Sequence, residues 1–263
     1  YGPRFESYIG FVSPPAAFSN TAQLFIDVCA SKAGVIQYLP HYPEAHYGAD
    51  IDDGERRLAV LKDGIAGLSE AGAQIVAQDG GFWSLSYAPD LATARALEKD
   101  LSDEFGVRVI LNWTAIVDAL RQVNARRISV TTGYYRPAWT AASIAFLESA
   151  GLDILWSGDL LDQGILANVQ ARDEVEAATR WDYPDDIVHR TCVEANRLAP
   201  DCDAVCQLGM GMRVIYVAEA VEAEIAKPLV STDLAIYWAV LNAGRLSAIA
   251  GYGSLLASAS SGK

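Results

Sequence analysis

The 263-residue chain carries 33 acidic against 20 basic side chains, a formal net charge of −13, and is 51% hydrophobic and 20% charged. That composition supports one large core or two domains of about 120 residues each. The acidic balance, with Arg126-Arg127 as the longest basic run, argues against nucleic acid and anionic membrane surfaces as partners. No run approaches the roughly 18 apolar residues that span a bilayer, and residues 1–11 lack the basic stretch and long apolar segment of a signal peptide, so a cytoplasmic location is expected.

Along the chain, short apolar runs alternate with amphipathic segments, the pattern of parallel sheets covered by helices. Strands are predicted at 8–12, 35–39, 74–77, 108–111, 127–131, 153–156, 204–208 and 229–231, four and four. Between them Leu58, Leu61, Ile65 and Leu68 recur at helical spacing over 55–70, and Gly72 ends the pattern. Similar spacing marks 92–105, 138–150, 184–198, 218–225 and 232–242. The predicted fold class is therefore α/β, with two pseudo-symmetric lobes that each hold a four-stranded parallel sheet, and a cleft between them. The expected division is 1–115 with 232–263 as the first lobe and 116–231 as the second.

The two halves repeat a motif. Ala71-Gly72-Ala73 precedes one strand and Ala199-Pro200 another, so Asp79-Gly80-Gly81 and Gly209-Met210-Gly211 fall at equivalent strand ends. Ligands of open α/β sheets bind beyond the carboxyl ends of strands, where backbone N–H groups of tight loops meet an anion. Four loops qualify: Ser13-Pro14-Pro15-Ala16, Asp79-Gly80-Gly81-Phe82-Trp83-Ser84, Thr131-Thr132-Gly133-Tyr134 and Gly209-Met210-Gly211.

Read one by one, several of these residues have two readings. Asp79 is a general base if burial raises its pKa, or a cap on the next turn. Ser13, Thr131, Thr132, Ser231 and Thr232 either bind substrate oxygen or cap helices. Tyr134 is a hydrogen-bond or proton donor, or a packing aromatic. Arg213 either grips a carboxylate or holds structure. Cys29, Cys192, Cys202 and Cys206 form no CxxC pair and read as reduced core residues. His41, His46, Asp50, Asp52 and Asp53 offer possible metal ligands but in no recognised spacing, so a solvated loop or lid is the plainer reading. His189 reads as a residue on a helix surface. Gly251-Tyr252-Gly253 lacks the Lys and Ser/Thr of a phosphate loop and no dinucleotide fingerprint follows the first strand, so no nucleotide cofactor is expected.

The same loops resemble the aspartate/glutamate racemase superfamily, in its arylmalonate decarboxylase and maleate isomerase branch. The resemblance rests on Gly10-Phe11-Val12-Ser13-Pro14-Pro15-Ala16-Ala17, Tyr134 after Thr131-Thr132, Ala199-Pro200-Asp201, Pro228-Leu229-Val230-Ser231, Trp238, and Gly251-Tyr252-Gly253 with Leu255. It implies a cofactor-independent enzyme, with no metal, acting on a small carboxylate. Members carry one or two catalytic cysteines at the two strand ends; here those positions read Gly80 and Gly209. A gapped alignment would put Cys206 in the second slot. Where the family's first loop offers Thr and Ser hydroxyls, this chain has Gly81 and Phe82, so an oxyanion site would rest on backbone N–H groups and the pocket would be more aromatic.

The expected activity is thus a thiol-free decarboxylase or lyase on a malonate- or maleate-like substrate, with Tyr134 and Asp79 catalytic and Ser13, Pro14, Gly80, Gly81, Phe82, Thr132, Gly209, Met210 and Gly211 binding substrate. The alternatives are a hydrolase or hydratase on a related carbonyl compound, and a non-catalytic small-molecule-binding homologue. An activity assembled from a metal with Asp79 or the His41/His46 loop is a third. The sequence sets no oligomeric state, and a homo-oligomer is compatible with it.

Overall fold

Eight short runs whose central members are apolar on both faces pair into two sheets in a computed structural model that describes residues 4–13, 20–40 and 53–259. The first half runs β1 (Ser7–Val12), α1 (Thr21–Val28), β2 (Ala33–Tyr38), α2 (Gly54–Glu70), β3 (Ile75–Gln78), α3 (Gly81–Ser84), α4 (Leu91–Phe105), β4 (Arg108–Leu111) and α5 (Asn112–Gln122). The second runs β5 (Arg127–Thr131), α6 (Pro137–Ser149), β6 (Asp153–Gly158), α7 (Val169–Thr179), α8 (Asp185–Leu198), β7 (Ala204–Gln207), a 3-10 turn at Val214–Tyr216, α9 (Ala218–Ile225), β8 (Leu229–Ser231), α10 (Thr232–Gly244) and α11 (Ser254–Ala257).

The strands order as β2-β1-β3-β4 and β6-β5-β7-β8, every pair parallel. All eight predicted strands are present. β2 starts two residues earlier than expected, and β6 runs on to Gly158. The central β3 and β7 are buried at every position, as strands covered on both faces must be. At the edge, β4 turns the N–H groups of Val109 and Leu111 to Ser102 Oγ (3.0 Å) and Glu98 Oε1 (3.1 Å) of α4, which closes that edge to other strands.

The helices end as their sequences require. After α2, the Gly72 N–H bonds Ser69 O (2.9 Å) and the Ala73 N–H bonds Leu68 O (3.0 Å), while Gly72 takes φ of 95°, a left-handed stop that glycine adopts without strain. α2 turns Leu61, Ile65 and Leu68 inward, and each such side chain contributes about 1.5–3 kcal/mol when fully buried. α4 starts at Asp90, whose carboxylate accepts the Thr93 N–H at 2.8 Å.

α1, α3, α5, α7 and α11 lie outside the predicted helices. α5 is buried continuously from Asn112 to Val117, because it packs against α10, α4 and the ends of both sheets, and its stripe of Trp113, Ile116, Val117 and Leu120 follows β4 with no turn residue between them. α7 buries Arg172 and Glu176 rather than apolar residues. α10 packs against β3, β4 and α5, and Cys29 bridges Ala248. Beyond it, Ser254 donates its N–H to Glu222 Oε2 (2.8 Å), bringing the end of the described chain onto α9. No described helix is long and apolar enough to cross a membrane.

Candidate functional site

The two halves close their central strands in the same way. Asp79 N–H bonds Val12 O (3.1 Å) after β3, and Leu208 N–H bonds Thr131 O (2.9 Å) after β7. Ser13 N–H reaches Tyr38 O (3.0 Å), as Thr132 N–H reaches Gly158 O (2.8 Å). The next residue is a left-handed glycine in both, Gly80 at φ 78° and Gly209 at φ 102°. Inside each turn a fully buried glutamine, Gln78 or Gln207, donates to the loop's own carbonyls, those of Asp79 and Gly80 in one half and that of Leu208 in the other. Asn112 Nδ2 then bonds Thr232 O across the halves at 2.9 Å, tying the start of α5 to that of α10.

Asp79 is fully buried and accepts the hydroxyls of Ser13 (3.0 Å) and Thr21. Gln37 Nε2 donates to Ser13 Oγ at 2.8 Å. The carboxylate therefore ties the end of β1 and the first residue of α1 to β3; α3 receives no side-chain cap. Thr131 Oγ1 lies 2.6 Å from Thr191 Oγ1, and Thr132 Oγ1 accepts from Thr140 Oγ1 at 3.2 Å. Ser231 caps α10 through the Leu234 N–H (3.2 Å), the capping alternative of the sequence reading. Asp233 sits beside it, its carboxyl pushed up by burial against the pull of the Ser231 hydroxyl, the Ile215 and Leu234 N–H groups and Arg213.

Across the two glycine loops, hydrogen bonding divides the N–H groups into two sets. Gly209 N–H donates to Thr232 Oγ1 (2.9 Å) and Gly211 N–H to Tyr134 Oη (3.2 Å), so both are engaged within the protein. Those of Gly80, Gly81, Phe82 and Met210 have no acceptor among the described residues. Gly81 O is held by Trp113 Nε1 at 2.6 Å and Ser84 Oγ at 2.9 Å. Gly211 admits no side chain, since a Cβ there would stand 2.1 Å from Trp181 O.

Tyr134 is 3% exposed. Its ring stacks on Tyr183 (centroids 5.3 Å, planes 7° apart) and meets Trp181 and Tyr135 edge-on at 5.0 and 5.6 Å. Burial pushes its phenol up to about 12 against the pull of the Gly211 N–H and of Arg213 and Arg136, so it stays protonated at neutral pH. A Cβ on residue 209 would meet Tyr134 Cε1 and Cζ at 3.0 Å and Oη at 3.1 Å. The phenol thus occupies the space into which a side chain at 209 would grow.

Phe82, expected at the cleft, stacks on Trp139 at 3.9 Å and lies 6.3 Å from Tyr135, with the Arg57 guanidinium 5.8 Å over its ring. One aromatic wall consequently runs from the loop after β3 to the loop after β7. Trp139 of α6, and Trp181 and Tyr183 of the turn between α7 and α8, belong to it and carry no local sequence signal: the fold brings both segments in. Arg213 is buried beside the second loop, donating to Met210 O and lying 3.3 Å from Asp182.

Cys206 sits mid-strand, fully buried, its thiol pushed up to about 12. His189 lies on α8, 3.3 Å from Glu224. Among the described residues no cluster of three or more His, Cys, Asp or Glu is placed to hold a metal. Pro14, His41, His46, Asp50 and Asp52 lie outside the described residues.

Comparison with known proteins identifies the family. The family model for arylmalonate decarboxylase matches residues 54–256. The chain is 28% identical over 254 residues to an arylmalonate decarboxylase of Bordetella bronchiseptica, covering 94% of this chain and 95% of that protein. Its fold superposes on a crystal structure of arylmalonate decarboxylase with a TM-score of 0.74, at 21% identity, over 95% of this chain and 98% of the other. A maleate isomerase from Pseudomonas putida gives 0.75 at 17% identity, over 96% and 99%. A maleate cis-trans isomerase from Nocardia farcinica, solved with a covalently bound succinylcysteine intermediate, gives 0.72 at 18% identity, over 95% and 98%. The chain belongs to the arylmalonate decarboxylase family.

Proposed function

We propose that this chain is an enzyme that removes carbon dioxide from a small carboxylate of the malonate or maleate type, without a cofactor and without the thiols of its relatives. Its site would lie between a first lobe of residues 1–115 with 232–263 and a second of residues 116–231. The observation that carries the reading is the Tyr134 phenol, protonated at neutral pH and standing where a side chain on residue 209 would stand.

In the proposed reaction the bond from the activated carbon to the departing carboxylate breaks, and its electron pair moves onto the oxygens of the group left behind. The N–H groups of Gly80, Gly81, Phe82 and Met210, which have no acceptor among the described residues, are the candidate donors for those oxygens. Gly209 and Gly211 act through their engaged N–H groups: one fixes the loop on Thr232, the other orients the phenol. Tyr134 then gives its proton to the carbon, since an enediolate carbon is a far stronger base than a phenolate. The phenolate formed lies beside Arg213 and the Gly211 N–H, both of which favour it. The phenolate regains its proton from water as product leaves, which closes the cycle; Ser13 and Thr132 border the two loops, and Asp79, accepting the Ser13 hydroxyl at 3.0 Å, would orient that hydroxyl.

The test is incubation of the protein with malonates, maleate, maleamate and cyclic amides, read by mass spectrometry. Loss of one carbon dioxide is the expected result. Gain of water identifies a hydrolase or hydratase instead, and silence across the panel favours a binding homologue, a reading supported by glycine at both family cysteine positions.

A further inference from the structure

Buried charges call for explanation, because a buried ion pair gains little over well-packed apolar residues of the same volume. Glu176 of α7 is 6% exposed and takes both arms of the Arg136 guanidinium, Nη1 at 2.6 Å and Nη2 at 2.8 Å. The same Nη1 donates to the backbone carbonyl of Tyr134 at 2.8 Å. Glu176 also accepts the Tyr183 hydroxyl at 3.3 Å, and Tyr183 is the ring stacked face-on against Tyr134. The Arg136 guanidinium sits 5.2 Å from the ring centre of Trp181, the residue edge-on to Tyr134. One carboxylate therefore holds the cation that grips the backbone of Tyr134 and the aromatic that covers its ring. The covering turn is anchored at its far end by Tyr183 N–H on Gly211 O at 3.0 Å, on the loop whose N–H meets the phenol.

We propose that Glu176, through its ion pair with Arg136, is a positioning residue for Tyr134, holding the ring against the glycine loop and setting the charge around its hydroxyl. This rests on the reading of Tyr134 as the proton donor. The groups that face the phenol are Glu176 from α7, Arg136 at the start of α6, Arg213 and the Gly211 N–H after β7, and Tyr183 before α8. Glu176 pushes the phenol up, whereas Arg136, Arg213 and the Gly211 N–H pull it down. Removing the negative charge leaves Arg136 with only the exposed Asp173, 3.8 Å from its Nη2, as a carboxylate partner, so the phenol should ionise at lower pH.

The test uses protein labelled with 13C at tyrosine Cζ, with the Tyr134 resonance assigned by its loss in Tyr134→Phe. In Glu176→Gln that resonance should titrate at least about half a pH unit lower than in the parent. In the same variant kcat should fall about tenfold while KM changes less than threefold. Glu174→Gln, on the exposed face of the same helix, should change neither. Arg136→Lys, which keeps the charge but not the two-armed grip, should lower kcat with a smaller shift of the titration. It serves as the second variant should Glu176→Gln not fold. A Tyr134 resonance that keeps its position and midpoint in Glu176→Gln overturns the proposal. A shifted resonance together with full activity in Tyr134→Phe would instead remove Tyr134 as the donor while leaving the positioning of its ring intact.

Discussion

Adding a side chain at residue 209 should destabilise the protein through Tyr134 and not through backbone strain alone. Gly209 has φ of 102°, and a non-glycine residue held in left-handed backbone costs about 1–2 kcal/mol. Gly72, at φ 95° with nothing within 4 Å of its would-be Cβ, isolates that backbone term. At 209 the new carbon also meets Tyr134 at 3.0 Å, so the ring must move by a few tenths of an ångström. That movement stretches a hydrogen bond from Gly211 N–H already 3.2 Å long, a loss of about 1 kcal/mol. Gly209→Ala should therefore cost about 2–3 kcal/mol against about 1–2 kcal/mol for Gly72→Ala. Urea unfolding of the single variants, and of Gly209→Ala combined with Tyr134→Leu, measures both terms. In the leucine background the excess should vanish. An excess that persists there, or Gly209→Ala costing no more than Gly72→Ala, refutes the reasoning.

Further outcomes follow from the same geometry. Gly211→Ala should displace the turn at Trp181, seen as a change in tryptophan fluorescence, because its Cβ would stand 2.1 Å from Trp181 O. Asp79→Asn should lower stability by about 1–3 kcal/mol in denaturant unfolding, since one carboxylate serves both the Ser13 and Thr21 hydroxyls. Cys206 should resist iodoacetamide in the native protein at pH 8, its thiol being pushed up to about 12 by burial, and Cys206→Ala should keep full activity. Asp203 is held below the usual carboxylate range by the backbone N–H groups of Arg127, then of Arg126. A depressed folded pKa gives stability that is present above the unfolded value near 4 and lost as pH falls through the folded one. Asp203→Asn should thus lower the thermal midpoint at pH 7 and have little effect near pH 2.

What could be read in advance depended on how local the signal was. The strands 108–111, 127–131 and 229–231 match because short apolar runs bounded by turns and caps leave few alternatives. α5 escaped notice because its stripe of Trp113, Ile116, Val117 and Leu120 follows strand β4 with no turn residue between them, and α7 because what it buries is Arg172 and Glu176. The glycine loops, Tyr134, Thr132 and Ser13 were legible from strand-end position and family resemblance. Their engagement with Thr232, Gln37 and Thr140 was not, because each partner comes from another segment. The same holds for Trp139, Trp181 and Tyr183, which turn Phe82 and Tyr134 from isolated aromatics into one wall.

The measurement to make is turnover in deuterated buffer of a malonate or related acid accepted by the parent, compared with Tyr134→Phe, following carbon dioxide release and deuterium on the product carbon by mass spectrometry. The predicted result is a single deuterium in the parent's product and a rate loss of at least about a hundredfold in Tyr134→Phe. Carbon dioxide release at the parental rate in Tyr134→Phe, with the deuterium still delivered, contradicts Tyr134 as the donor.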